Sequence, residues 1–413
     1  MLVPHYEPDL GPSAPLFTLL STELAKRGHH VCVLTTVPHY PSGIVPPSFR
    51  KKPIQLSIEN GVEIYRIRVP SMDRSRLTAR MLQFIAFQWG ATIKGLSLKY
   101  DVVFAANPAL WVWLPFTCLS VLRRKPAVFS VYDLYPDVGV QLGIFRSQLV
   151  IEMVGLLEKF CLRHSTIVRI ISESFRSSIR RFGIPDSKIR LIPDWVDTEL
   201  IRPLPHQNSF TSQYGLNGRF IIQYAGNIGF SQGLEQILEA AQSLTKYPEI
   251  LFVLVGDGSG KEKLQQDAQK RNLTNLRFIP FQPRQRLAEV LAAADVSLVV
   301  LKPGVAYTAM PSKILSILAS GRPIIACVDQ DSETWNFIQR TGAGLCVWPD
   351  KPEEFIQAIL TLHSNPDLRS QMGCIGRQWV LQNHTPAVAA ATMERLFLSI
   401  LRYSHPKPQT ISS

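Results

Sequence analysis

The stretch Phe220-Ile-Ile-Gln-Tyr-Ala-Gly-Asn-Ile-Gly-Phe-Ser-Gln-Gly233 indicates how the second half of this chain folds. Its first six residues are largely apolar and predict a buried strand, and three glycines then lead into an amphipathic segment that predicts a helix. In parallel α/β sheets such glycines let the backbone approach a ligand closely. Because a plain turn needs only one glycine, we interpret the stretch as a binding loop with Asn227, Gly229 and Gln232 as candidate contacts.

Strands of the same kind recur on both sides of this loop and alternate with amphipathic stretches. We predict them at 30–36, 62–67, 102–105, 127–131, 166–171 and 189–192, and then at 250–256, 276–279, 296–300, 323–327 and 344–347. This alternation is typical of parallel sheets built from βαβ units. The sequence therefore predicts an α/β protein.

The chain has 413 residues, more than one ordinary hydrophobic core accommodates. A proline-rich, polar segment at 202–210 is typical of a linker. We therefore predict an N-terminal domain at 1–205, a C-terminal domain at 206–384, a helix at 385–403 that packs back toward the N-terminal domain, and a disordered tail at 404–413. Only three residues precede the first turn, so we expect a first strand that is either very short or starts upstream of Met1.

Composition and charge limit the classes of function. Hydrophobic residues make up 46% and charged residues 18%, which favours a folded globular protein. The net charge is +12, and residues 1–205 hold 25 Lys+Arg against 16 Asp+Glu, which suits an anionic partner. The six cysteines form no CxxC pair and no metal-ligand spacing, so we expect free thiols and no metal site. Without a signal peptide or a long apolar run, a cytoplasmic protein is expected.

A second candidate binding segment is Met310-Pro-Ser-Lys-Ile-Leu-Ser-Ile-Leu-Ala-Ser-Gly-Arg-Pro323, which predicts a short helix. Its N-terminus combines free N–H groups, the Ser312 hydroxyl and the Lys313 ammonium, and these groups suit a diphosphate. The alternative is a surface lysine on a capped helix. Two weaker candidates, Gly258 and Gly11, lie in strand-to-helix turns that need no ligand to explain them.

A candidate catalytic residue is Asp133, which follows the predicted strand at 127–131. A carboxylate at the carboxyl end of a parallel strand can orient a sugar hydroxyl or accept a proton. The alternative is a helix cap, because Asp133 and Asp137 lie on either side of a turn proline.

Taken together, several motifs resemble the family 4 (group 1) GT-B retaining glycosyltransferases, of the bacterial colanic-acid and N-acetylfucosaminyl-transferase type. They are Gly11-Pro-Ser-Ala14, Glu23-Leu-Ala-Lys-Arg-Gly-His-His-Val31, Val37-Pro-His-Tyr-Pro-Ser-Gly43, Asp133-Leu-Tyr-Pro-Asp137, Ile192-Pro-Asp-Trp-Val-Asp197, Tyr224-Ala-Gly-Asn227, Pro311-Ser-Lys313 and Ala319-Ser-Gly-Arg-Pro323. The resemblance implies two Rossmann-like domains with parallel sheets facing a central cleft. It also implies transfer of a sugar from a nucleotide diphosphate sugar, a UDP-sugar in our interpretation, without a metal or other cofactor.

The chain departs from the family pattern at the donor site. The family places an Arg and, five residues later, a Lys where Asn227 and Gln232 stand here, so we assign the diphosphate to Lys313. Ser316 stands where the family has its ribose-binding glutamate. Glu333 is a candidate substitute, although a first-turn glutamate that interacts with its helix dipole explains it equally well.

The acceptor side is predicted from a basic and aromatic segment. Arg74, Arg76 and Arg80 flank an apolar stretch with Phe84 and Trp89, which suits either a helix lying on a membrane or a buried helix. The resemblance favours the membrane, because similar enzymes use polyprenyl-diphosphate-linked acceptors at the cytoplasmic leaflet. We assign His39 to the same side, and we expect no nucleic-acid partner because no binding module is recognisable. A UDP-sugar epimerase or a non-catalytic partner subunit remain the alternatives.

Overall fold

A computed structural model describes residues 1–73, 76–141, 145, 147–229, 232–304 and 311–404. The chain divides into a first unit, Met1–Asp194 with the helix Pro386–Ser404, and a second unit, Trp195–Thr385. The boundary therefore lies before the proline-rich segment, not within it. The segment 195–205 is tied to the second unit by the Val196 N–H, which donates to the His384 carbonyl at 2.9 Å, and by Arg377, which donates to the Ile201 carbonyl at 2.9 Å.

The first unit is an α/β layer structure. Its elements in chain order are α1 (Ala14–Lys26), β1 (Val31–Thr36), β2 (Ile54–Glu59), β3 (Val62–Ile67), α2 (Leu77–Leu96), β4 (Val103–Ala106), α3 (Ala109–Phe116), β5 (Ala127–Val131), α4 (Asp137–Gln141), α5 (Gln148–His164), β6 (Ile167–Ile170), α6 (Phe175–Arg181) and β7 (Ile189–Leu191). The strands form the orders β1-β3-β2 and β4-β5-β6-β7. Leu2 lies between the two groups and forms single parallel bridges to Leu34 and Ala105.

One strand of the first unit, β2, was not predicted from the sequence. β2 pairs with β3 in the antiparallel direction, with Ile54 opposite Ile67. It lies at the edge of its sheet, and two of its apolar side chains, Leu56 and Ile58, are 57% and 70% exposed. An edge strand of this kind lacks the continuous apolar run by which buried parallel strands are recognised.

The second unit contains a larger sheet, and its strands are all parallel. Its elements are α7 (Ser209–Gln213), β8 (Phe220–Ala225), α8 (Glu235–Ser243), β9 (Ile250–Val255), α9 (Lys261–Lys270), β10 (Leu276–Ile279), α10 (Leu287–Ala292), β11 (Val296–Val300), α11 (Lys313–Ala319), β12 (Ile324–Cys327), α12 (Glu333–Thr341), β13 (Gly344–Val347), α13 (Pro352–Ser364) and α14 (Pro366–Asn383). Strands β9, β11 and β12 are buried along their whole length, as expected for parallel strands with both faces covered.

The strand order of this sheet, β10-β9-β8-β11-β12-β13, locates a ligand crevice. The chain starts in the middle at β8, runs outward through β9 and β10, and then returns to β11 on the other side of β8. Connections that leave neighbouring strands in opposite directions open a crevice at the carboxyl ends of these strands. The loops that follow β8 and β11 therefore border the expected binding site.

The last helix, α15 (Pro386–Ser404), packs against α1 of the first unit. Its Glu394 accepts a hydrogen bond from the Arg27 guanidinium at 2.8 Å and lies 2.8 Å from Nε2 of His29. All six cysteines are free thiols. Within the described ranges, no helix combines the length and the apolar character needed to cross a bilayer. Arg74 and residues 405–413 of the predicted tail lie outside the described residues.

Candidate functional site

Two glycine loops pack against each other at the carboxyl ends of β8 and β9. The Gly226 N–H donates to the Val255 carbonyl at 2.9 Å. A Cβ atom on Gly256 would lie 1.9 Å from the Gly226 carbonyl oxygen, and one on Gly258 would lie 2.5 Å from the Ile228 carbonyl oxygen. Both positions also have positive φ, so only glycine fits. The structure thus gives Gly258 a packing role, which explains this glycine without a ligand.

The loop after β8 is held in shape by Tyr224, whose side chain is fully buried. Its hydroxyl donates to the Asn227 carbonyl at 2.7 Å and to Oε1 of Gln232 at 3.1 Å. Gly229 lies in the same loop, where an added Cβ would be 2.9 Å from Nδ2 of Asn227. The three contacts predicted from the sequence are therefore gathered at one place, and the Asn227 residue is exposed.

Lys313, the first residue of α11, points into the same loop. Its Nζ lies 3.6 Å from the centre of the Tyr224 ring and 3.2 Å from where a Cβ on Gly226 would be. Although part of the side chain is accessible, the Nζ is buried and has no hydrogen-bond partner among the described residues. Burial lowers the pKa of Lys313 to about 7. An ammonium in such a place is costly unless an anion pairs with it.

The other predicted donor residues lie near the starts of α11 and α12. Ser312 precedes α11, is exposed and makes no capping hydrogen bond with its side chain. Ser316 lies one turn further along this helix and is half-buried. Glu333 lies in the first turn of α12, after β12, where the Ser332 hydroxyl caps the helix by accepting the Trp335 N–H at 3.2 Å. This is the position that the helix-dipole interpretation of Glu333 requires.

In the first unit, the carboxyl ends of the strands bring Asp133 beside other polar groups. Asp133 is exposed, and its pKa is raised by desolvation and by the charge of the nearby Asp194. Its main-chain carbonyl accepts a hydrogen bond from Nδ2 of Asn107 at 2.5 Å. Asn107 follows β4 and is buried, so two neighbouring strands contribute to this cluster.

Two buried charged residues of this cluster were missed by the sequence analysis. Arg169 is fully buried in β6, where it donates to Asp194 Oδ1 at 2.7 Å and lies over the Tyr132 ring at 5.1 Å. Glu158 of α5 is buried, and burial raises its pKa to about 8. The sequence does contain an indication of both, because each is an ionisable residue in a largely apolar stretch. Arg169 lies in Ile167-Val-Arg-Ile170, and Glu158 lies in Leu156-Leu-Glu-Lys-Phe160.

Gly11 and His39 lie together at a buried carboxylate, Asp9. Its Oδ1 accepts the Gly11 N–H at 2.8 Å and its Oδ2 accepts the His39 N–H at 2.9 Å. Burial acts to raise the pKa of Asp9, but hydrogen bonds from His39 and His5 hold it well below its usual range. The Gly11 N–H is thus already engaged within the protein. The His39 side chain is 0% exposed, and its assignment to the acceptor side stays a prediction.

The predicted membrane helix is amphipathic, but its exposed residues differ from those expected. Phe84 packs at 4.5 Å on the Trp111 ring and lies against the core, so it is not a surface anchor. Trp89 is 59% exposed, Arg76 is exposed and Arg80 is half-buried. Further large apolar side chains line the outer face of α2 on both sides of Trp89, namely Leu82, Ile85, Ile93 and Leu96.

The fold defines a two-domain α/β protein whose second sheet brings two glycine loops and Lys313 together at its switch point. Residues 14–195 match the glycosyl transferase 4-like domain, and residues 207–379 match the glycosyl transferases group 1. The chain belongs to the group 1, family 4, glycosyltransferases of GT-B fold.

Relatives and solved structures agree with this assignment. The chain is 26% identical to the colanic acid biosynthesis glycosyl transferase WcaI of Escherichia coli, over 86% of this chain and 89% of WcaI. It is 26% identical to the glycosyltransferase WbjE of Pseudomonas aeruginosa, over 78% and 81%. Among solved structures, it is similar to sucrose-phosphate synthase of Thermosynechococcus elongatus (TM-score 0.70, 20% identity, 97% and 98% covered) and to Anabaena HepE in complex with UDP (TM-score 0.70, 15% identity, 96% and 99% covered).

Proposed function

We propose that this glycosyltransferase moves a sugar from a UDP-sugar, a UDP-N-acetylated hexosamine, to a polyprenyl-diphosphate-linked or glycan acceptor in surface polysaccharide synthesis. The transfer retains the anomeric configuration and needs no metal. The names of WcaI, which refers to colanic acid biosynthesis, and of HepE, which was solved with UDP and with UDP-glucose, support this choice of donor and pathway class.

The observation that carries the proposal is the buried Nζ of Lys313 at the Gly226 turn, which has no hydrogen-bond partner in the part of the chain that the structure describes. A protein gains nothing in stability from such a group, because its burial penalty is not offset by a partner. A diphosphate would supply the missing anion, and charge-assisted hydrogen bonds to phosphate are among the strong ones. This lysine would take the place of the two basic residues that the family has at Asn227 and Gln232.

Mechanistically, the largest electrostatic contribution is the stabilisation of the leaving diphosphate, on which negative charge builds as the glycosidic bond breaks. Lys313 supplies a positive charge for it, and the loop after β8 supplies main-chain groups near the exposed Asn227. The leaving phosphate accepts the proton of the acceptor hydroxyl. Asp133 is assigned the orienting role for that hydroxyl rather than the role of a strong base.

Metal independence is the part of the proposal that a chelator tests. In the described parts of the chain, the two clusters with metal-ligand spacing are His5, Asp9, His39 and His30, Cys32, Glu63. Both belong to the first unit and neither includes a residue of the Lys313 site. Transfer in the presence of EDTA at an unchanged rate is therefore expected.

The acceptor proposal rests on α2. Its five exposed apolar side chains, from Leu82 to Leu96, recur at spacings of three or four residues and so form one row along the helix. A row of this kind with the basic Arg76 at the helix start is typical of helices that lie in a membrane interface. We infer that the protein binds the cytoplasmic leaflet peripherally, where a polyprenyl-linked acceptor is presented.

The test is a donor panel. Purified protein is incubated with UDP-N-acetylhexosamines and UDP-hexoses, each with and without a polyprenyl-diphosphate-linked sugar, and the anomeric configuration of the product is read by NMR. A glycosylated lipid of retained configuration is expected. An epimerised donor without acceptor would instead identify an epimerase, and no turnover in any combination would indicate a non-catalytic subunit.

A further inference from the structure

The carboxyl of Glu158 lies behind the loop that carries Asp133. Glu158 is 2% exposed, and its Oε1 accepts the N–H of Ala109, the first residue of α3, at 3.0 Å. No salt-bridge partner for it is found among the described residues. Burying a carboxyl without a cation costs folding free energy. We therefore expect Glu158 to have a role other than stabilising the fold.

Asn107 connects this carboxyl to the loop after β5. It lies two residues before Ala109, whose N–H Glu158 accepts, so both residues belong to the segment that follows β4. Its Oδ1 accepts the Tyr132 N–H at 2.9 Å, and its Nδ2 donates to the Asp133 carbonyl at 2.5 Å. The Asn107 N–H is bound as well, to the Ser130 carbonyl at 3.0 Å. The carboxamide therefore holds two successive main-chain groups at the point from which the Asp133 side chain projects.

We propose that Glu158 acts through Asn107 as a positioning residue for Asp133. The inference rests on the proposed function in that Asp133 is there the orienting group for the acceptor. The Asn107 carboxamide can bind two main-chain groups at once only if the segment that carries it is held in place, and Glu158 holds this segment through the Ala109 N–H. A displacement of even 1 Å in a group that orients a substrate lowers turnover strongly.

The charge state of Glu158 fits this role. Burial raises the pKa of Glu158 to about 8, the Ala109 N–H and the Asn107 side chain lower it, and the negative charge of Asp133 raises it further. The other titratable group that interacts with it is Cys161, whose thiol pKa is raised well above its usual value by burial and by Glu158. At neutral pH, Glu158 and Cys161 are therefore both neutral, and neither adds a negative charge behind Asp133.

The test compares Glu158→Ala and Glu158→Gln with Glu152→Gln, an exposed position on the same helix. A glutamine reproduces the shape and the donor–acceptor pattern of a protonated carboxyl, so Glu158→Gln should keep kcat within about twofold of wild type at pH 7. Glu158→Ala should lower kcat by about tenfold with the KM for the donor unchanged. Wild type should lose kcat above pH 8, where Glu158 ionises, and Glu158→Gln should not. A merely structural residue would not change the pH profile in this way.

A second measurement does not depend on turnover. Hydrogen exchange of the main chain at residues 132–138 should be at least tenfold faster in Glu158→Ala than in wild type, and unchanged in both glutamine variants. Unchanged exchange in Glu158→Ala, or an alkaline fall in kcat that persists in Glu158→Gln, overturns the positioning role. If wild type transfers no sugar at all, the proposed function fails, and the exchange experiment still decides whether Glu158 positions this loop.

Discussion

The Nζ of Lys313 lies 3.6 Å from the centre of the Tyr224 ring, and this contact joins two elements that are far apart in the chain. Tyr224 ends the central strand β8 and Lys313 starts α11, the helix after β11 on the neighbouring side of the switch point. The π face offers only partial compensation for a desolvated ammonium. The contact therefore places beside the loop an amine whose protonated form an anionic ligand favours, at a cost in stability.

The first prediction is that Lys313→Met weakens nucleotide binding and makes the folded protein more stable. Methionine has a similar volume and no charge, so it removes a burial penalty of roughly 3–5 kcal/mol, given a pKa of about 7 in place of 10.5. The melting temperature should rise by about 5 °C or more, whereas affinity for UDP should fall ten- to a hundredfold. Calorimetry measures both. The control is Lys270→Met, whose side chain is 75% exposed and should change neither.

The pH dependence of stability provides the second prediction. Between pH 7 and 10.5 the unfolded chain keeps the Lys313 proton that the folded protein releases, so stability rises with pH in this window. The difference in unfolding free energy between Lys313→Met and wild type should therefore shrink from pH 7 to pH 10. Urea unfolding at several pH values measures it, and a difference that is constant over this range would contradict the assignment.

A third prediction concerns protons taken up on binding. At pH 7.5 the amine of Lys313 is largely neutral in the free protein, and a bound diphosphate favours the ammonium form. Binding of UDP should therefore take up a substantial fraction of one proton. Titration calorimetry in two buffers of different ionisation enthalpy gives this number directly. The uptake should vanish in any Lys313→Met protein that still binds.

Much of the second unit could be predicted from the sequence because its strands are largely apolar, and β9, β11 and β12 are buried along their whole length. The strands β8, β10, β11 and β13 have the predicted bounds. The grouping of Lys313 with the loop after β8 was predicted because helix starts and strand ends meet at one edge of a parallel sheet. The roles of Gly256 and Gly258 were not, because contact between two loops depends on tertiary packing that spacing alone does not reveal.

The first unit was less predictable for a related reason. Asp133 was identified from its position after a strand, but Asn107, which binds its carbonyl, and Arg169, which binds the nearby Asp194, come from other elements. Such long-range hydrogen bonds leave no local periodicity in the sequence. Likewise, an amphipathic pattern indicated that α2 has an apolar face, but not that Phe84 lies on the core side while Trp89 lies outside.

The fourth prediction tests the packing of the two glycine loops. An alanine at position 256 would place its Cβ 1.9 Å from the Gly226 carbonyl oxygen, a main-chain atom that cannot move without shifting the loop beside Lys313. Gly256→Ala should lower both the melting temperature and the affinity for UDP. Gly155→Ala, where the nearest atoms are 3.8 Å away in a helix, is the matched control and should be neutral or slightly stabilising. Wild-type UDP affinity in Gly256→Ala would show that this loop does not shape the site.

The last prediction concerns the outer face of α2 and liposomes that contain anionic lipid. Trp89 and Ile93 are 59% and 64% exposed, so their replacement by Ser should leave the melting curve unchanged. Because apolar burial is not screened by salt, the double variant should lose liposome binding at every ionic strength. Arg76→Ser should weaken binding and reduce its salt dependence without abolishing it, since a basic residue near an anionic surface contributes about 1 kcal/mol that salt screens.

Phe87→Ser serves as the contrast, because this side chain is fully buried and its loss should lower the melting temperature. Cosedimentation of the folded Trp89→Ser, Ile93→Ser protein with liposomes as strong as that of wild type would exclude α2 as the membrane-binding surface.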